Sequence, residues 1–183
     1  MTEPPEQLPS ADQTPHLRRL LAAANVKAFN AAHKAARKAN PQFSLDITGI
    51  TLIGADLLRI DLAGANLKGS DLTRSNLARA NLREALLEGA ILVRTTLASA
   101  TLAGAKLAGA DLTGVNLAGA DLAWIDLTGA KLAGAILSWS NLAGSNLAGA
   151  KLTGADFTGA DLAGADFTGA KLAGADFAGA KPN

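Results

Sequence analysis

The sequence predicts an all-β solenoid preceded by a short α-helical segment, and three observations carry that prediction. An apolar residue recurs at every fifth position from Ile47 to Phe177, in 27 positions held by one Ile, 23 Leu and three Phe. All 19 glycines of the chain fall two residues after one of these centres and nowhere else. Apolar residues at helical spacing precede Asn40-Pro41, before the repeat begins. A fixed short period decides the fold ahead of any single segment, because it gives each residue a place in a repeating unit.

Residues 1–13 are acidic and Pro-rich, and a disordered tail is expected there. A secretory signal would need basic residues and then an apolar run, and nowhere do 18 apolar residues follow one another, so a cytoplasmic protein without a membrane span is expected. Residues 14–44 should form an α-helical N-terminal cap. Thr14-Pro15 reads as an N-cap followed by Pro at the first helical position, with Leu17, Leu20, Leu21 and Ala24 at helical spacing. Asn25 interrupts, and a second helix should run from Val26 to about Ala39, where Asn40-Pro41 stops it. A bare solenoid end exposes its core and an unpaired strand edge. Leu20, Leu21, Phe29 or Phe43 are therefore expected to lid the first coil.

Residues 45–181 carry the repeat. Five matches neither the three- and four-residue spacing of a helix nor the alternation of a long strand; a two-sided strand followed by a corner does fit. In Ala110-Asp-Leu-Thr-Gly114, Ala110 and Leu112 point to one side while Asp111 and Thr113 point to the other, and Gly114 turns the chain. Each repeat thus reads small, outward, centre, outward, corner. Eight corners hold Arg59, Arg74, Arg79, Glu84, Arg94, Ser99, Trp124 and Trp139 in place of Gly. Such residues tolerate positive φ poorly, so a different turn type is expected at those eight.

The units ADLTG, ANLKG, ADLAG and ADFTG resemble those of the pentapeptide-repeat family, over residues 45 to 179. The resemblance implies a right-handed quadrilateral β-helix, four pentapeptides to a 20-residue coil and about seven coils here, with residues 14–44 similar to the helical lead-in of many members. Residues 20 apart would then stack, and the leucine ladders would fill the interior and leave no room for a substrate. Phe157, Phe167, Phe177 and Leu172 fall in the last coils, where Pro182 ends the pattern. Several family members pair there, which implies a homodimer through the C-terminal coils.

Catalytic chemistry finds little support. The chain has no Cys, a formal charge of +1, and only two histidines, His16 and His33, both expected to be solvated helix residues. Asp56, Asp61, Asp71, Asp111 and Asp121 occupy the outward slot before a centre, which solvates them. No phosphate-cradling motif occurs among the glycines. The expectation is no enzyme, no cofactor, no metal and no small-molecule substrate.

Recognition should therefore lie in the outward exceptions to the repeat. Arg59 with Arg79, and Arg74 with Arg94, should stack one coil apart, but no continuous basic stripe with aromatics announces direct nucleic-acid binding. Leu86, Ile91 and Val93 form a small outward apolar group. Trp124 and Trp139 should sit on neighbouring corners of adjoining coils, and exposed Trp is enriched at binding hot spots. The function expected is a rigid scaffold that offers its surface to an unidentified protein. A second reading comes from the resemblance alone: some members bind DNA gyrase or topoisomerase IV by imitating DNA and so protect it from quinolones, though those are acidic and loop-bearing where this chain is near neutral and uninterrupted. Regular Thr arrays for ice or mineral binding are missing. The near-perfect repeats after Ala100 would suit an engineered consensus solenoid, against which stand the irregular early coils.

Overall fold

A computed structural model describes residues 14–182; the tail expected at 1–13 lies outside the described residues. Two helices come first, α1 (Thr14–Ala22) and α2 (Val26–Ala39). Helix α1 stops short of Ala24, which takes φ +50, while Asn25 N–H reaches back to Leu20 C=O at 3.0 Å and Ala24 N–H to Leu21 C=O at 2.9 Å. That closes a left-handed C-terminal cap. Asn25 then starts α2 by accepting Ala28 N–H on its side chain at 3.2 Å.

From Asp46 onward the chain forms an unbroken series of parallel bridges between residues 20 apart, from Asp46 with Asn66 to Asp161 with Lys181. Twenty residues are four repeats, so the coil has four faces, each with its own ladder of centres. Face 1 runs from Ile47 to Phe167, face 2 from Leu52 to Leu172, face 3 from Leu57 to Phe177 and face 4 from Leu62 to Leu162. Every centre from Ile47 to Leu162 is buried, as is almost every small residue between them, so the axis of the coil is occupied by side chains.

The backbone bonding explains why the repeat is five long. In an interior repeat such as 65–69, Asn66 N–H donates to the coil before at Leu45 C=O, while Leu67 and Gly69 N–H donate to the coil after, at Leu86 and Glu88 C=O. Ser70 N–H closes the turn on Leu67 C=O at 3.1 Å. One N–H is left over, that of the second outward residue. In all 17 repeats with Asp or Asn in the first outward slot, its Oδ1 accepts this N–H at 2.8–3.3 Å. The aspartates expected merely to be solvated therefore complete the hydrogen bonding of the corner.

The expectation of a different turn at the eight non-glycine corners is overturned. Their φ lies between +54 and +61, beside +62 to +70 at the glycines. Positive φ at the third turn residue alone is the type II pattern. The register enforces it: Trp124 N–H donates to Ala143 C=O at 3.0 Å and Trp139 N–H to Thr158 C=O at 2.8 Å, in the same ladder that every corner from Gly49 to Gly159 joins. Each such corner costs on the order of 1–2 kcal/mol that glycine would not.

Helices α1 and α2 pack on the first coil. Leu17, Leu21 and Phe29 join its apolar core, with Leu20 and Phe43 partly buried against it. His33, expected to be solvated, is instead 1% exposed between the rings of Phe29 and Phe43. Its Nδ1 donates to Asp61 C=O at 2.9 Å, which fixes the tautomer because a carbonyl only accepts. Asn30 accepts Asp61 N–H at 2.8 Å and donates to Arg59 C=O at 3.0 Å, and Arg18 donates to Asp46 C=O at 3.0 Å. The Asp61 N–H and the Asp46 and Asp61 C=O, whose counterparts in later coils bond to the coil before, thus find partners on the helices.

Candidate functional site

Among the outward exceptions, the two tryptophans stand furthest from what the fold requires. Trp139 turns the corner between faces 3 and 4, and Trp124 the corner between faces 4 and 1, so they flank face 4 on either side. Both are largely exposed, at 75% for Trp124 and 72% for Trp139. A Cβ placed on Gly144 would lie 2.6–2.8 Å from three indole carbons of Trp124, and one on Gly159 2.5–2.9 Å from the same three of Trp139. Each indole therefore lies against the glycine corner one coil further on and keeps most of its surface open to solvent. Two aromatic platforms result, with Asp121, Asn141 and Asp161 laddered between them on face 4.

That ladder is hydrogen-bonded. Asn141 Nδ2 donates to Asp121 Oδ1 at 3.1 Å, Lys181 pairs with Asp161 at 3.2 Å, and Arg83 reaches Asp121 Oδ2 at 3.8 Å. The Ala163 N–H and the Lys181 ammonium hold the Asp161 carboxyl below the usual carboxylate range.

The remaining expected residues divide by position. Arg59 and Arg79 occupy successive corners between faces 3 and 4, above Ser99, Gly119 and Trp139; Arg74 and Arg94 occupy successive corners between faces 2 and 3. All four are exposed. Ile91 and Val93 lie on face 2 and Leu86 on face 1; Ile91 is exposed, at 40%, and the other two are half-buried. Ile136, exposed at 41% on face 3 in the same repeat as Trp139, was missed by sequence reasoning, although an apolar residue in an outward slot was the available signal.

At the far end the phenyl rings converge. Phe157 stacks on Phe177 with centroids 4.9 Å apart, and Phe167 meets both edge-on at 5.8 and 6.2 Å. Phe157 is buried, whereas Phe177 is 37% exposed and Phe167 and Leu172 are half-buried. The N–H groups of Phe167, Gly169, Leu172, Gly174, Phe177 and Gly179, which in earlier coils donate onward, have no acceptor among the described residues. Among those residues no group of His, Asp or Glu is placed to hold a metal ion, and no helix is long and apolar enough to cross a membrane.

The profile of the pentapeptide-repeat family matches residues 46–79, 80–119, 120–159 and 151–181. The chain is a pentapeptide-repeat protein. Family members fold as right-handed quadrilateral β-helices and are in general structural and interaction proteins. The fold is similar to that of HetL, a pentapeptide-repeat protein involved in heterocyst differentiation regulation from the cyanobacterium Nostoc sp. strain PCC 7120. The identity is 28% over 82% of this chain and 95% of HetL, with a TM-score of 0.50. Full-length QnrB1, a plasmid-mediated fluoroquinolone resistance protein, is also similar, at 20% identity over 77% of this chain and 86% of that one, with a TM-score of 0.39. No curated protein sequence matches the chain. This pentapeptide-repeat protein runs without an inserted loop between Asp46 and Lys181.

Proposed function

We propose that this protein is a non-enzymatic scaffold that presents a rigid β-helical surface to a protein partner, with Trp124 and Trp139 as its principal anchors. The carrying observation is that the turn at these two corners is one that glycine makes elsewhere in the rod without a side chain. Nineteen other corners turn with Gly at the same φ, and the two indoles stay mostly in solvent. Large apolar side chains held exposed in strained backbone are the pattern of a binding surface. Arg59, Arg79, Arg74 and Arg94 extend the contact along the rod, and Leu86, Ile91 and Val93 give a smaller apolar patch. Helices α1 and α2 act as the N-terminal cap of about seven coils. In the last described coil, Phe167, Leu172 and Phe177, whose N–H groups have no acceptor among the described residues, join a second copy of the chain.

The test compares the wild type with the Trp124→Gly/Trp139→Gly double variant in affinity capture from the native host, with thermal unfolding measured alongside. A partner retained by the wild type should be lost by a variant at least as stable. Equal capture by both would remove the two tryptophans from the interface. The pairing of two chains is read separately, from the solution mass.

A further inference from the structure

Face 2 carries a second feature, which begins from the way the rod holds its own carboxylates. Asp111 is gripped by three donors: Thr113 N–H at 3.1 Å, Thr113 Oγ1 at 2.7 Å, and the ammonium of Lys131 one coil further on at 3.1 Å. Asp161 on face 4 repeats the arrangement without the hydroxyl, with Ala163 N–H at 3.2 Å and Lys181 at 3.2 Å. One carboxylate thus bridges the spare N–H of its own corner and a lysine of the next coil.

Two coils beyond Asp111 on the same face the donors recur and the carboxylate does not. Thr153 takes the place of Thr113 and Lys171 that of Lys131, but the residue in the aspartate's slot is Lys151. The N–H of Thr153 accordingly has no acceptor among the described residues, and Lys151 and Lys171 have no carboxylate partner there. The repeat between them is alike: Lys131 leaves Ala133 N–H without an acceptor, with Lys151 one coil on. Three ammonium groups therefore stand in line at strand spacing, about 4.8 Å per coil. Like charges stacked in neighbouring strands destabilise a sheet. Nothing obstructs approach, since the flanking corners at Gly129, Gly134, Gly149, Gly154, Gly169 and Gly174 carry no side chain.

We infer that face 2 between Lys131 and Lys171 is a carboxylate-binding strip that takes two neighbouring acidic side chains of a protein partner. One is held by Thr153 N–H, Thr153 Oγ1, Lys151 and Lys171. The other is held by Ala133 N–H and Lys151. Carboxylates are assigned because carboxylates fill the matching positions at Asp111 and Asp161. Two of them about 5–6 Å apart are what an acidic helix offers at three- or four-residue spacing. All six aspartates of residues 120–182 lie on the other three faces, so face 2 is the basic side of this half of the rod. The inference deepens the scaffold reading by naming the chemistry of a partner, and it rests on that reading.

The test titrates the full chain with poly-L-glutamate at low ionic strength and follows binding by calorimetry. Saturable binding should weaken about tenfold or more in Lys151→Gln/Lys171→Gln, the size expected for charge-assisted hydrogen bonds. Lys151→Asp fills the position from within: it should accept Thr153 N–H, pair with Lys171, raise the melting temperature and abolish binding. No binding by the wild type would overturn the inference, as would binding that all variants share or a wild type that takes inorganic polyphosphate but not poly-L-glutamate. Such a failure leaves the tryptophan surface untouched, because capture through Trp124 and Trp139 is read in a separate experiment.

Discussion

Gly144 and Gly134 have the same left-handed φ, +66 and +63, but only Gly144 lies beneath an indole. Alanine at either position meets the backbone penalty, roughly 1–2 kcal/mol. At Gly144 its Cβ would also fall 2.6 Å from Trp124, whereas nothing lies within 4 Å at Gly134. Gly144→Ala should therefore destabilise more than Gly134→Ala in urea unfolding, and the excess should vanish in a Trp124→Gly background. Equal losses would mean that the indole does not rest there. The Asp-x-Thr repeats give a second residue-scale prediction. The hydroxyl and then the N–H of Thr48, Thr158 and Thr168 hold the carboxyls of Asp46, Asp156 and Asp166 below their ordinary value near 3.8. A carboxyl with a lowered folded pKa stabilises the protein above its unfolded pKa and ceases to do so as pH falls through the folded value. The unfolding midpoint should hold from pH 7 to about 5 and decline below about 4, and Thr158→Ala with Thr168→Ala should make that decline shallower.

Between the helices and the first coil, side chains do what a preceding coil would have done. Asn30 satisfies the Asp61 N–H of the strand edge and also bonds the Arg59 C=O at the corner, and His33 satisfies the Asp61 C=O. Replacing Asn30 by Ala should cost about 1–3 kcal/mol for the groups left unpaired, measured by chemical unfolding; a change within a few tenths would show that water replaces it freely. The helices themselves were legible because Asn25, Asn40 and Pro41 punctuate the apolar spacing. The burial of His33 was not, since a lone histidine on an amphipathic helix has no sequence mark of which turn meets the strand edge. Corner geometry was misjudged for a related reason. Single-residue preference argues against positive φ at Arg59 or Trp124, while the ladder bonds from neighbouring coils outweigh that preference collectively. The tryptophan corners were legible as departures from an otherwise uniform slot. That each indole lies against Gly144 or Gly159 depended on side-chain direction, which spacing does not encode.

Over the whole molecule, the two ends differ in kind. The N-terminal edge is covered by two helices, and the C-terminal edge leaves six N–H groups without an acceptor among the described residues and Phe167, Leu172 and Phe177 only partly covered. Light scattering at micromolar concentration should return the mass of two chains, and Phe177→Asp should return one. A wild-type mass of one chain would overturn the pairing proposed at that end. The five-residue unit was readable from the period, and the 20-residue coil from the resemblance to the pentapeptide-repeat family. The asymmetry between faces followed once residues 20 apart were placed together, because charge sums along the chain mix face 2 with its neighbours.

A five-residue side repeated four times per circuit also sets how such a rod can change. Duplicating or deleting one pentapeptide would leave each leucine centre inside and each ladder bond available, yet swing everything downstream by a quarter turn. An insertion after Gly114 would carry Trp124 and Trp139 onto the next pair of edges while Arg59 and Arg79 stayed put. The exterior is thus an odometer whose digits advance independently of the axle, and new patterns of contact can arise by copying a unit without remaking the interior.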